Sequence, residues 1–417
     1  MGRTARDKRD RPHPPPVERI ELNDEHTGRR LIAAVVLLLF GAALLAYAFM
    51  QLMTPEDGWM EVEAGAGTSC AGEFTFFYLP ADAAERRAVT AAYTELCQMA
   101  YEQFNEVESF EGVSNIYAIN RRPNEPLTVD QALYSAFSTA AESGSRLLYL
   151  GPVYRRYGNV FFCEDDVQLA DFDPALSEDV AREYREIAAF ANDPDMIRIE
   201  LLGDNRIELV VAEEYLAYAD RAEIESFIDF GWMRNAFIAD YLAEELTARG
   251  FTHGALISYD GFVRNLDDSG TAYSLSLYDR QEQGVYLAAV MEYTGPMSAV
   301  VLRDYPLSDL DRMHYYELRT GEIRTSYLDL ADGLNKNAVH DLVCYARDKS
   351  CGELALKIAP VYIADALQVE ALERLAAEGI DSIRCEDWVI YPTDPDAVFS
   401  QLYENGEVRY TVAPAGN

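Results

Sequence analysis

The longest apolar run comes early in the chain, and shorter helical and strand-like patterns follow it. Leu31–Met50 is twenty residues without a charge, and a helix of about 20 residues crosses a hydrocarbon core of about 30 Å. From Ala83 to Asn105, the residues Val89, Ala92, Tyr93, Leu96, Met99, Ala100 and Phe104 recur at three- and four-residue steps. That is the period of a helix with one apolar face. Ile197-Arg-Ile-Glu-Leu and Ile207-Glu-Leu-Val-Val alternate across Gly203-Asp-Asn, which predicts a hairpin. Tyr273–Tyr278 and Val285–Val290 predict a second strand pair. Asp240–Arg249 predicts a helix capped by Gly250, followed by a strand at Ala255–Ser258. Trp388–Tyr391 and Val408–Val412 read as two more strands. Helices mixed with antiparallel pairs, without a regular strand–helix–strand array, predict an α+β fold.

Charge gives the apolar run a direction. Eight Arg or Lys and six acids precede Leu31, and Thr54-Pro-Glu-Asp follows soon after the run. The positive-inside rule then places the N-terminus in the cytoplasm and everything past Met53 outside. The alternative is a cleaved signal peptide, whose apolar region usually spans about 7–15 residues before a small-residue cleavage site. This run is longer and ends in Phe-Met-Gln-Leu-Met, so an uncleaved anchor is the reading adopted. The expected organisation is a disordered cytoplasmic tail (1–30), a transmembrane helix (31–53), a stalk (54–72) and an extracytoplasmic domain (73–417).

Overall, 35 basic residues face 71 acidic ones, for a net charge of −36. That excess excludes nucleic acid as a partner, because nothing offsets repulsion from phosphates. All six cysteines lie past the anchor, and disulfides or buried thiols fit their spacing equally. His253, His314 and His340 are too scattered to suggest a metal site. No GxGxxG, P-loop, HExxH or GxSxG motif is present.

An ordered set of fragments nevertheless resembles a known family. Phe104-Asn-Glu closes the first helix, and Ser114-Asn-Ile-Tyr-Ala-Ile-Asn120 follows. Ser143-Gly144 and Gly151-Pro152 come next, then Asp229-Phe-Gly231 with Asp240, and Ala255-Leu-Ile-Ser-Tyr-Asp-Gly261. His314-Tyr-Tyr-Glu-Leu-Arg319-Thr320-Gly321, Ala364-Asp365-Ala-Leu and Glu386-Asp-Trp-Val-Ile-Tyr391 complete the series. In this order they resemble the ApbE-type FAD:protein FMN transferases, over roughly Glu73 to Pro414. The resemblance implies a T-fold-like ApbE domain. It also implies FAD bound with magnesium, and FMN transfer to a threonine of an envelope flavoprotein. In such chemistry the metal neutralises charge developing on the pyrophosphate while a side chain takes the hydroxyl proton. By position, His314 and Asp365 would be catalytic, with Asp365 also the metal ligand. Asp229, Gly231, Asp240, Gly261, Arg319, Thr320 and Gly321 would contact the cofactor.

The departures fall where that chemistry would be concentrated. Val369 stands where the family's metal helix has a threonine, and its methyls cannot ligate a metal. Trp232 replaces a glycine, Arg234 an alanine whose carbonyl helps hold the metal, Asn235 a lysine and Ala236 a glycine. Leu148 and Leu150 stand near an aspartate and a threonine, while Ser258 and Asp260 replace Asn and the first Gly of NxGG. Glu317 and Leu318 replace Asp-Pro, and about a dozen extra residues separate Ala346 from Ala364. Each candidate also has a plainer reading. Asp365 would cap a helix, Asp229 and Gly231 would shape a turn, His314 would partner a carboxylate, and Arg234 would pair an acid. Three functions follow as alternatives: an eroded transferase that binds a partner or a flavin-like ligand, a working divergent transferase, and a structural envelope protein.

Overall fold

The computed structural model describes residues 58–67, 69–282, 284–406 and 408–415. The predicted tail and membrane helix lie outside the described residues. Among the described residues, no helix is long and apolar enough to cross a membrane. Nine strands of the central sheet lie side by side in chain order. They are β1 (Met60–Glu61), β2 (Phe74–Tyr78), β3 (Gly254–Ser258), β4 (Phe262–Asn265), β5 (Met297–Arg303), β6 (Asp341–Ala346), β7 (Asp381–Glu386), β8 (Val389–Pro392) and β9 (Thr411–Val412). Neighbours pair antiparallel except β8 and β9, which are parallel.

The sheet is buried on both faces, which explains why its strands read as apolar runs rather than clean alternations. On β6, Leu342, Cys344 and Ala346 face one core while Val343 and Tyr345 face the other. The first core lies under α1 (Ala83–Gln103), α2 (Arg234–Ala248) and α3 (Cys351–Tyr362). Of these, α2 and α3 rest on the sheet and α1 packs against α2. The second core is closed by a three-stranded sheet of Ala272–Gln281, Gly284–Thr294 and Val398–Ser400. Burying each large apolar side chain contributes roughly 1.5–3 kcal/mol, so two continuous cores fix one arrangement of the sheet. The hairpin Ile197–Gly203 with Arg206–Val211 is present and adds Pro126–Thr128 at its edge.

Three sequence expectations need correction. The predicted stalk (54–72) is folded from its middle onward, and the compact unit begins at Trp59. Met60 and Glu61 pair with Tyr78 and Phe77, the Val62 amide donates to the Phe76 carbonyl at 2.7 Å, and Cys70 is buried. The Gly- and Ser-rich composition of 65–69 hid this, because a short edge strand needs only two residues of pairing. Secondly, the helix expected from Asp240 starts six residues earlier, at Arg234. Thirdly, the last strand shortens to Thr411–Val412. All six cysteines are free thiols. Between Ala346 and Ala364 the chain forms α3, begun by a capping box between Ser350 and Glu353.

Candidate functional site

One polar cleft gathers four of the predicted chemical segments. It is shaped by the loop before α2, the turn between β3 and β4, the end of α1, and the segments around Tyr157 and His314. It encloses about 190 Å³.

The loop is held from behind. Asn120, buried at the end of the Ile116–Asn120 helix, accepts from the Phe227 and Ile228 amides at 2.8 and 2.9 Å. Its own amide donates to the Ile228 carbonyl at 2.9 Å. A Cβ on Gly151 would sit 2.7 Å from the Ile228 backbone, so a glycine is required there for the two segments to touch. The Asp229 amide donates to the Leu148 carbonyl, and the Asp229 carboxylate accepts from the Gly231 amide at 2.8 Å. Gly231 has φ +54° and packs on the Tyr154 ring. The turn-building reading of Asp229 and Gly231 therefore holds, and both also line the cleft.

Four carboxylates converge on the start of α2. The Arg234 guanidinium donates to both oxygens of Glu73 at 3.2 Å and to Glu106 at 3.4 Å. The Asn235 amide nitrogen donates to Glu73 at 2.8 Å and to Asp260 at 2.9 Å. Burial opposes the charge of Arg234, but Glu73, Glu106 and Asp229 hold its pKa above the ordinary value. Burial pushes Asp229 up to about 7, with Glu106 adding to it and Arg234 opposing. Burial also raises Asp260, against the pull of His314. Trp232 does not obstruct the cleft as free bulk. It is buried between Phe262 (16° between planes) and the edge of Tyr327 (80°) and presents only part of its ring.

The remaining candidates separate into those near the cleft and those away from it. His314 lines it, and Gly261 forms the turn that carries Asp260 into it. Asp240 does neither. It is buried and accepts from the Cys351 and Gly352 amides at 2.8 Å each, so it fixes the N-terminus of α3 to α2. Arg319, Thr320 and Gly321 form an exposed turn between Tyr316–Glu317 and Ile323–Arg324, and none of them lines the cleft. Asp365 is not on a helix. It lies in the bend between α3 and the helix Val369–Ala377, with its side chain 87% exposed. Its partner is Lys336 at 3.5 Å, which also binds Asp329 at 2.7 Å and Asp332 at 2.9 Å. Sequence reasoning missed Glu73 and Tyr157 as cleft residues. Glu73 is the first residue of the expected domain, just past the predicted stalk, and Tyr157 ends the helix that begins at Gly151-Pro152 but lies outside the quoted fragment.

The buried acids set a pH dependence. Burial raises Asp240 to about 6 as well as Asp229 to about 7, whereas an unfolded aspartate titrates near 3.9. Between these values the folded chain holds protons that the unfolded chain has released, so stability falls as pH rises from about 4 through 7. A denaturation midpoint higher at pH 5 than at pH 8 is expected, and Asp229→Asn should flatten the upper part of that slope. A midpoint that rises with pH would contradict the assignment.

No family profile and no curated protein matches the chain. Solved structures do. The ApbE protein of Thermotoga maritima aligns with a TM-score of 0.54 at 12% identity, covering 82% of this chain and 96% of its own. The flavin transferase ApbE of Vibrio cholerae aligns with a TM-score of 0.53 at 14% identity, again covering 82% and 96%. The fold is ApbE-like. The chain thus has the mixed helix and strand architecture that the ordered fragments implied.

The residues present fit FAD and magnesium poorly. Among the described residues no three His, Cys, Asp or Glu side chains come together as a metal site. Asp365 lies in a bend beside Lys336, before the helix that Val369 begins, and Val369 carries no side-chain oxygen. The cleft is lined by four carboxylates, and a pyrophosphate is recognised by hydrogen-bond donors and positive charge.

Proposed function

We propose that this chain is an ApbE-fold domain that has lost FMN transfer and keeps its cleft as a binding site. The observation that carries this is the tie of Arg234 and Asn235 to Glu73, Glu106 and Asp260. The two positive or donor groups at the start of α2 are consumed by protein carboxylates, and the remaining acids repel a diphosphate. Magnesium wants near-octahedral oxygen geometry at about 2.0–2.1 Å, and neither Asp365 nor its surroundings offers it.

Full-length protein in detergent should neither bind FAD with magnesium nor transfer FMN to a threonine-bearing acceptor. Val369→Thr alone should not restore either property, because Arg234 and its carboxylates stay in place. The combined reversion of Val369, Trp232, Arg234 and Asn235 to the family's residues is the variant expected to regain FAD binding. Robust transfer by the unmodified chain, lost in Asp365→Ala, would establish instead a working flavin transferase. That second reading draws on the likeness to the Vibrio cholerae enzyme and on His314 facing the cleft.

The same proposal places the domain outside the cell membrane on an anchor at 31–53, where its acidic surface would meet an envelope protein. Protease added to intact cells should digest the part after Trp59 and spare the tail, and protection of that part would overturn the placement.

A further inference from the structure

The reading of the cleft as a binding site leaves the chemistry of its ligand open, and the lining residues narrow it. Four acids, Glu73, Glu106, Asp229 and Asp260, line the cleft with Arg234 and His314, so acidic side chains outnumber basic ones, and among the described residues Arg234 pairs only with Glu73 and Glu106. Of the described polar atoms on lining residues, five have no partner: the Tyr154 and Tyr157 hydroxyls, Trp232 Nε1–H, one Asp260 oxygen and the Asn235 side-chain oxygen, so acceptors are among them. The Asn235 side-chain oxygen is buried on a residue only 3% exposed, and the Tyr157 hydroxyl is buried on a residue 1% exposed. Asn235 cannot relieve its own deficit by turning over, because its nitrogen already serves two carboxylates. A buried unsatisfied acceptor costs about 1–3 kcal/mol, which a ligand bringing N–H donors would recover.

We propose that this cleft binds a small organic cation with several N–H donors, an alkylammonium or a guanidinium. A metal ion is the wrong shape for it, since no three ligating side chains among the described residues come together. An anion is the wrong charge. Trp232, Tyr315 and Tyr327 supply ring surface beside the acids, and aromatic faces attract organic cations. The groups facing Asp229 agree with a site short of one positive charge. Glu106 raises its pKa, and Arg234 and Arg155, which oppose, do not offset burial.

Two sources share this chemistry, a free amine and a lysyl or arginyl side chain of a partner protein. Calorimetric titration of the full-length protein in detergent separates them, using butylammonium, agmatine and Nα-acetyl-lysine methylamide. Saturable binding of the first two alone supports the cation site with a free amine as ligand. Binding of the lysine derivative supports it with a protein partner. Tetramethylammonium carries the charge without N–H donors and should bind at least tenfold more weakly. Glu106→Gln should weaken the amine at least tenfold. Tyr157→Phe removes a hydroxyl with no protein partner, so the fold should keep its melting midpoint while affinity falls about threefold. No binding by any amine, equal binding of tetramethylammonium, or unchanged affinity in both variants would overturn the inference. FMN transfer to the acceptor alongside retained amine binding would overturn only the earlier reading that FMN transfer is lost.

Discussion

Gly261→Ala is expected to destabilise the domain by on the order of 3–5 kcal/mol, through two separate causes. Gly261 has φ +105°, a conformation that a residue with a Cβ adopts only under strain. A Cβ built there would lie 2.2 Å from the Val301 carbonyl oxygen, which is backbone and cannot swing aside. The same glycine accepts from the Val301 amide at 2.8 Å, so the collision also pulls on the joint between this turn and β5. Gly270→Ala separates the two causes. Gly270 has φ +87° and no heavy atom within 4 Å of its built Cβ, so only backbone strain of about 1 kcal/mol applies. Equal losses in the two variants, read from denaturant midpoints, would remove the contact argument. The functional consequence follows from position. The turn places Asp260 against Asn235, so a shifted turn loosens the acid that helps hold the start of α2.

Much of the architecture was legible because it rests on local patterns. The one-faced period of α1, the Gly203-Asp-Asn turn and the strands around Tyr278 and Val285 each bury a face that their own spacing defines. The order of motif fragments was also legible, and Asn120, Gly151, Asp229 and Gly231 meet around one loop although 111 positions separate the first from the last. What the chain does not display locally is pairing between distant charges. Glu73 meets Arg234 across 161 positions, and Lys336 reaches Asp365 across β6 and α3. No pattern in either segment announces these contacts, because a charge in sequence looks the same whether it faces water or a partner. The same limit explains Asp240. Its place in a motif suggested a cofactor contact, and only the position of α3 reveals that it accepts two backbone amides instead.

Asn120→Ala should cost the domain a comparable amount, and its signature should appear first in the loop at 227–231. Asn120 is 4% exposed and serves two backbone donors and one backbone acceptor, on Phe227 and Ile228, which are themselves buried. Alanine leaves the two amides without a partner and the Ile228 carbonyl with only the Ser226 hydroxyl at 3.4 Å, and each unpaired buried group costs about 1–3 kcal/mol. A loss on the order of 3–5 kcal/mol is therefore expected after partial relaxation. Asn120→Asp refines the argument, because it keeps the shape and the acceptor but loses the donor to the Ile228 carbonyl. At neutral pH it also buries a charge, so it should be destabilised in its own right. On acidification the carboxyl gains a proton that can be donated to that carbonyl, and stability should recover toward that of the parent protein. Hydrogen exchange at the Phe227, Ile228 and Asp229 amides should accelerate in Asn120→Ala before the rest of the sheet does. Loss of stability with unchanged exchange in that loop would show that Asn120 acts elsewhere. If exchange does accelerate, Asp229 loses its fixed place in the cleft, because its own amide is held by the Leu148 carbonyl only while the loop keeps its course.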